Sequence, residues 1–161
     1  MPEQETEQRQ FAIQRIYTKD ISFELPQAPD IFLKEWKPQI DINLGVQINP
    51  LPEENVEVVI TVNVEATQED KPAFLVEVQQ AGIFLVSGFS EEEKLPLLHI
   101  GATNTLFPYA REVVSDLVTR GSLPTFVLQP VNFETMYQQR LAEQAAQEQE
   151  AEATASEPTS L

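Results

Sequence analysis

The sequence predicts an α+β fold: a four-stranded antiparallel sheet with two helices packed on one side of it. Four segments in the first part of the chain alternate apolar and polar residues, with the period of two that a half-buried strand requires. Connections compatible with hairpins favour an antiparallel sheet. The later part of the chain changes to the helical spacing of i, i+3 and i+4, so strands precede helices.

The first strand is predicted over residues 11–25. Strict alternation places one set of side chains on a single face: Phe11, Ile13, Arg15, Tyr17, Lys19, Ile21, Phe23 and Leu25. The opposite face carries Asp20, Ser22 and Glu24. A proline-rich segment containing Trp36 follows, and we expect it to be a crossover because it is too long for a hairpin turn.

The second and third strands are predicted over residues 40–48 and 56–65. Both alternate cleanly, except that Val59 is an apolar residue on the outward face of the third strand. The fourth strand is predicted over residues 73–89, with a bulge near Gly82, because glycine inside a strand often marks one.

Two helices are predicted after an acidic loop at residues 91–93. The first covers residues 105–120, and Gly121 stands where a C-terminal cap belongs. The second helix begins near Asn132, a good N-cap residue. The first helix has a wide apolar stripe formed by Leu106, Tyr109, Ala110, Val113, Val114, Leu117 and Val118.

The length of 161 residues favours a single domain over residues 11–140, flanked by acidic ends. We expect residues 1–10 to be a flexible acidic N-terminus. Residues 141–161 contain five glutamates and no basic residue, which predicts the end of a helix and then a disordered acidic tail. The formal net charge of -16 favours basic or charge-mixed polypeptide partners and argues against nucleic acid and anionic membrane surfaces.

The residues offer little for catalysis. The chain has no cysteine, and its single histidine, His99, has apolar neighbours, which favours a packed structural residue. Phosphate-loop, dinucleotide and zinc-protease motifs are absent. We therefore predict that the protein is not an enzyme and holds no metal or cofactor. An acidic start without an apolar run, and no stretch long enough to span a bilayer, predict a cytoplasmic protein with no direct membrane insertion.

Two features fit either a structural or a binding role. Asp20 and Glu24 share a strand face at a separation of about 13 Å, at ~3.3 Å per residue. That is too far for a glycosidase pair, so they form either an ordinary solvated surface or an attachment surface for a basic partner. The loop around Trp36 either packs down on the sheet or forms one wall of a groove for extended peptide.

With these residues in view, the sequence resembles SecB, the family of bacterial protein-export chaperones. The matching segments follow the order of the family over roughly residues 11–140: QRIYTKDISFE at 14–24, the Trp36 loop, AFLVEVQQAGIF at 73–84, LFPYARE at 106–112 and PVNF at 130–133. The departures are mild. Ala81 precedes Gly82 where the family often has two glycines, and Val76 and the cysteine-free GATNT replace frequent cysteines.

The resemblance implies an ATP-independent holdase that keeps unfolded preproteins competent for translocation and delivers them to the SecA motor. It also implies a homotetramer, a dimer of dimers. The long helix would supply the oligomer interface through Ala110, Val113, Val114, Leu117 and Val118. By family analogy, the acidic surface for SecA is formed by Asp20, Glu24, Leu75 and Glu77.

The groove for unfolded clients is our own hypothesis from the distribution of large apolar residues, any of which also suits a core. Its proposed members are Phe23, Trp36, Phe74, Leu106, Phe107 and Tyr109. The competing interpretation is a small β module that binds an apolar ligand and has no chaperone activity. The absence of cysteine and the single histidine count against a third class, a cryptic hydrolase.

Overall fold

Four long strands form one antiparallel sheet in the computed structural model, which describes residues 8–156. The strands are β1 (Gln10–Glu24), β2 (Gln39–Pro50), β3 (Asn55–Gln68) and β4 (Lys71–Ser87). Their spatial order is β1-β4-β3-β2, so β1 and β2 are the edge strands. The segment between them must therefore cross the whole sheet, and it contains a 3-10 turn at Asp30–Leu33. The predicted α+β class and the four strands are confirmed.

Helices cover one face of the sheet. A continuous helical run consists of α1 (Glu91–Pro96), a π-helical segment (Leu97–Ala102) and α2 (Thr103–Arg120), and α3 (Phe133–Ala155) follows after a loop. The core lies between α2 and the two central strands. Its fully buried side chains include Val58, Ile60, Val62, Val64, Phe74, Val78, Phe84, Leu106, Val114 and Val118. No helix in the described part of the chain is long and apolar enough to cross a membrane.

Two bulges in β1 change which of its side chains face the helices. The pairing of β1 with β4 skips one residue at Gln14 and another at Lys19. Each extra residue reverses the alternation once. Arg15 and Tyr17 therefore point away from the helices and Ile16 points toward them, the reverse of the strict alternation predicted from the sequence. The second bulge restores the predicted faces for the rest of the strand.

The glutamates at residues 91–93 form the first turn of α1 and not the predicted loop. Ser90 is the N-cap: its hydroxyl accepts a hydrogen bond from the Glu93 amide, and the Glu93 carboxylate accepts one from the Ser90 amide. This reciprocal capping box satisfies two amides that the helix cannot pair. Acidic side chains are also favoured at the positive end of the helix dipole.

α3 begins as predicted and extends further than predicted. The Asn132 side chain accepts a hydrogen bond from the Thr135 amide at 3.0 Å, which confirms the N-cap. The helix continues to Ala155, so the predicted disordered tail is an exposed helix over residues 141–155. Residues 157–161 lie outside the described residues. So does most of the predicted flexible N-terminus, since residues 1–7 are not described and Gln10 already belongs to β1.

Gly82 allows α2 to pack closely on the sheet. The predicted bulge at this glycine is wrong: Gly82 pairs regularly with Ile16 and Val58, and the nearby bulge is in β1. A Cβ at Gly82 would lie 2.9 Å from Leu106 Cδ2 and 3.1 Å from the backbone oxygen of Arg15. Glycine is therefore required by the close approach of a helix to the sheet.

This contact predicts that Gly82→Ala lowers the free energy of unfolding by about 1–3 kcal/mol, because the added methyl group overpacks the helix–sheet junction. Gly45→Ala is the matched control, since a Cβ there would meet nothing within 4 Å. We expect Gly45→Ala to change the stability by less than about 1 kcal/mol. Urea unfolding measures both, and equal effects of the two substitutions would contradict the packing argument.

Candidate functional site

The face of the sheet opposite the helices, here called the outer face, gathers the four residues predicted to bind SecA. Glu24 pairs directly with Leu75 across β1 and β4, and Glu77 pairs with Ser22. Asp20 lies one alternation further along the same face, after the second bulge. The alternation predicted from the sequence therefore holds where these side chains are located, and the structure brings them together.

Two further acidic residues extend this cluster across the sheet. Asp41 of β2 pairs directly with Glu65 of β3, and Glu65 pairs in turn with Leu75. Like charges directly opposite each other in a sheet destabilise it, so this arrangement carries a folding cost. Alternation in β2 is consistent with Asp41 on this face, but its place beside Glu24 depends on the strand order. We call Asp20, Glu24, Asp41, Glu65 and Glu77 the acidic patch.

The acidic patch is electrostatically uncompensated. Within residues 8–156, none of its five members takes part in a salt bridge. A shallow cavity of about 330 Å³ lies among Glu24, Asp41, Glu65, Leu75 and Glu77. The patch therefore presents concentrated negative charge around an apolar side chain, an arrangement suited to a basic peptide segment.

The other end of the outer face is charge-compensated. The Tyr17 hydroxyl donates to the Glu57 carboxylate, Asn49 Nδ2 donates to Glu57 Oε1 at 2.8 Å, and Lys19 Nζ lies 3.1 Å from that oxygen. The hydrogen bond from Tyr17 lowers the pKa of Glu57, while burial and then the neighbouring Glu57 raise the pKa of the Tyr17 phenol to about 12. Glu57 is thus a structural carboxylate.

On the helix side, β2 forms the floor of a partly open apolar groove. The main packing of α2 is on β4, β3 and β1, which leaves β2 less covered. The apolar residues of β2 remain partly exposed, and Ile42 is 43% exposed. We call this surface the β2 groove; its floor consists of Ile40, Ile42, Leu44, Val46 and Ile48.

One end of the β2 groove is aromatic. Trp36, from the crossover between β1 and β2, stacks on Phe74 with ring centroids 6.3 Å apart. Phe126, from the loop before α3, packs edge-on against Phe74 at 6.3 Å. Ala66 pairs with both Phe74 and Ile40, so this cluster continues the row of the groove floor. The half-buried indole of Trp36 is accessible at this end.

The other end of the β2 groove lies under the first turns of α3. A cavity of about 320 Å³ separates α3 from β2, and its lining includes Leu44, Val46, His99, Met136, Tyr137 and Arg140. Arg140 Nη1 donates a long hydrogen bond of 3.5 Å to the Val46 carbonyl, on the free edge of β2. The helix thus partly covers the groove at this end.

The structure places the six residues predicted for the client groove in different parts of the fold. Phe74, Leu106 and Phe107 are 1%, 0% and 5% exposed, so they belong to the core and offer no open surface. Phe23 packs near Gly121 at the end of α2, on the opposite edge of the sheet from β2, and Tyr109 lies on the side of α2 away from the sheet. Of the six predicted residues, Trp36 alone is both accessible and placed at the β2 groove.

Three of the five residues predicted for the oligomer interface lie in the core. Ala110, Val114 and Val118 are fully buried against the sheet of their own chain. The apolar stripe predicted for this helix includes residues from two sides of α2, and only one of these sides packs against the sheet. Val113 and Leu117 are half-buried because each also packs against the core. Their exposed parts and the exposed Tyr109 form the apolar part of the outward side of α2.

Comparison with known sequences identifies close relatives along nearly the whole chain. The family described as preprotein translocase subunit SecB matches residues 4–144. A relative from Hydrogenovibrio crunogenus named protein-export protein SecB is 49% identical over 142 residues, covering 88% of this chain and 95% of its own. One of the same name from Methylococcus capsulatus is 47% identical over 152 residues, covering 94% and 97%.

A solved structure shares the fold. It is a SecB-like chaperone of Mycobacterium tuberculosis in complex with a peptide from an antitoxin. It superposes with a TM-score of 0.61 at 21% sequence identity, over 76% of this chain and 88% of the other. At this identity, the match supports the sheet and helix arrangement.

Proposed function

The chain belongs to the SecB family of protein-export chaperones, and from this premise we propose that it is an ATP-independent holdase of the cytoplasm that binds unfolded preproteins and delivers them to SecA. The family is a chaperone family and not an enzyme class. The observation that best supports the proposal is the β2 groove, an apolar strip on an edge strand that ends in an accessible tryptophan.

The β2 groove suits an extended, unfolded chain. Alternate side chains of a client would bury themselves against the apolar floor and against Trp36. Among the described strands β2 pairs with β3 alone, so its other edge offers backbone groups that could pair with those of the client. Recognition of apolar side chains and backbone requires no particular sequence, which matches the broad range of clients that a holdase serves.

The acidic patch supports the proposed docking of SecA. Its charges are uncompensated and surround Leu75, so a basic segment with an apolar residue would complement it. The patch and the β2 groove lie on opposite faces of one sheet. A client in the groove would therefore leave the patch free, and one chain would hold a preprotein and dock on the motor at the same time.

The proposed homotetramer would multiply weak client contacts. Val113 and Leu117, with Tyr109, give α2 an apolar outward side that a second copy would bury. Repeated grooves in one assembly raise the effective concentration of each groove for a client already bound elsewhere. Tight binding then follows without any strong single site.

Size measurement combined with an aggregation assay tests this function. We expect the wild-type chain to be a tetramer that suppresses aggregation of a denatured protein without ATP. Leu117→Asp, which puts a charge into the proposed interface, should yield dimers with weaker suppression. The mass of each species is read by light scattering. A wild-type monomer without suppression would contradict the proposal and favour the apolar-ligand module.

A further inference from the structure

α3 is attached to the rest of the described chain by its first two turns alone. Phe133 is buried and packs edge-on against Phe107 at 5.5 Å, and Tyr137 stacks on His99 with ring centroids 4.8 Å apart. Arg140 adds the hydrogen bond to Val46. From residue 138 to residue 155, every residue of the helix is exposed. Beyond the buried Phe133 and the half-buried Met136, the stack of His99 on Tyr137 and the Arg140 hydrogen bond are therefore among the contacts that hold the helix over the β2 groove.

The π-helical segment presents His99 to α3. The wider turn is supported by the buried Thr103, whose hydroxyl lies close to the His99 carbonyl and 3.0 Å from that of Ile100. π-helical turns occur frequently at functional sites. The imidazole of His99 therefore extends from the α1–α2 helical run into the cavity between α3 and β2.

The surroundings of His99 disfavour a positive charge. From α3, the titratable or charged groups at this cavity are Tyr137, Arg140 and Glu143. β2 contributes only apolar residues and a glycine, and α1 contributes the apolar Leu95 on the adjoining surface. Arg140 would repel an imidazolium, and Glu143, the acidic residue that lines this cavity, lies about one turn beyond Arg140 along the helix.

We propose that the stack of neutral His99 on Tyr137 is a pH-sensitive latch for α3, and that protonation of His99 releases the helix from the β2 groove. The neutral ring stacks on the phenol and keeps Arg140 over the strand edge. A protonated His99 in the docked position would be poorly hydrated and would face the guanidinium of Arg140, so the charge would destabilise docking. The released helix would uncover Leu44 and Val46, which lengthens the open floor of the groove.

The direction of the pH effect follows from the two states. Burial, and secondarily Arg140, lowers the pKa of His99 in the docked state, while a released His99 titrates near the ordinary value of about 6.5. Docking is therefore complete above that value. It weakens as the pH falls below it, because the released state binds the proton more readily.

The single histidine of the chain makes this latch measurable by one NMR titration of the imidazole. We expect the wild-type midpoint below the ordinary value, and Arg140→Gln should move it upward by removing the repulsion. Amide exchange of α3 near Tyr137, corrected for its intrinsic pH dependence, should rise about threefold or more between about pH 7.5 and about pH 5.5. A wild-type midpoint at or above the ordinary value would overturn the latch.

His99→Phe is the matched control, because it keeps an aromatic stack and removes the titration. Its α3 exchange should not respond to pH over this range. Equal pH responses of His99→Phe and the wild type would overturn the proposal. The effect on clients, tighter binding by the wild type at the lower pH, rests on the proposed function; the NMR and exchange readouts do not, so the two can fail separately.

Discussion

Glu77→Lys is expected to weaken binding of SecA by about tenfold at low salt, which corresponds to about 1.4 kcal/mol. Asp20→Lys and Glu24→Lys should have comparable effects. The physical reason is that each substitution places a positive charge inside an uncompensated acidic patch, where it would oppose a basic partner. Titration calorimetry with purified SecA at two salt concentrations measures the loss and its electrostatic origin, since salt screens exposed charges.

Glu53→Lys is the control for this series. It changes the net charge by the same amount, but it lies in the turn between β2 and β3, at the far end of the sheet from Glu65. We expect its binding of SecA to remain within about twofold of the wild type, given the screening of distant surface charges. Asp41→Lys and Glu65→Lys extend the test to the part of the patch that sequence analysis missed. Unchanged binding in all five patch variants would eliminate the acidic patch as the docking surface.

Trp36→Ala is expected to weaken binding of an unfolded client by about 2 kcal/mol, or roughly thirtyfold. The indole is the accessible aromatic group at one end of the β2 groove, and truncated tryptophans are among the most costly losses in binding surfaces. The tetramer should persist, because Trp36 packs on Phe74 at the end of the β2 groove and is not part of the proposed interface on the outward side of α2. Fluorescence anisotropy of a labelled client measures affinity, and light scattering confirms the mass.

Trp36→Phe controls for the loss of packing against Phe74. It keeps an aromatic ring on the stack, so we expect most of the client affinity to remain. The aliphatic floor of the groove offers a second test: Ile42→Asn places an amide on this floor and should weaken binding of the same client. Unaltered client affinity in both Trp36→Ala and Ile42→Asn would place the client elsewhere on the molecule.

Periodicity predicted the sheet well because β2 alternates without interruption and β3 departs from alternation at Val59 alone. β1 is different, because its two bulges cannot be recognised in the sequence of residues 11–25. Ile16 and Arg15 are compatible with either face of the strand, so strict alternation and the bulged register fit the sequence equally well. The capping box at Ser90 has a recognisable pattern, serine followed three residues later by glutamate, but three consecutive glutamates also suit a solvated loop.

The candidate site was predictable where it depended on the alternation within one strand and on the family resemblance. It was less predictable where it depended on which strands and helices lie next to each other. Alternation alone placed Leu75 and Glu77 together, but only the strand order brings Asp41 beside them. Large apolar residues such as Phe74 and Leu106 suit a core and a groove equally well in the sequence. Burial by α2 decides between the two, and that is a property of tertiary packing.

The central claim is that one sheet binds clients on its helix side and SecA on its outer face. The most direct test measures both ligands on two variants, Trp36→Ala and Glu77→Lys. We predict that Trp36→Ala loses client affinity and keeps SecA, while Glu77→Lys loses SecA and keeps the client, with both proteins still tetrameric. If either substitution weakened both ligands equally in an intact tetramer, the assignment of two separate faces would be contradicted.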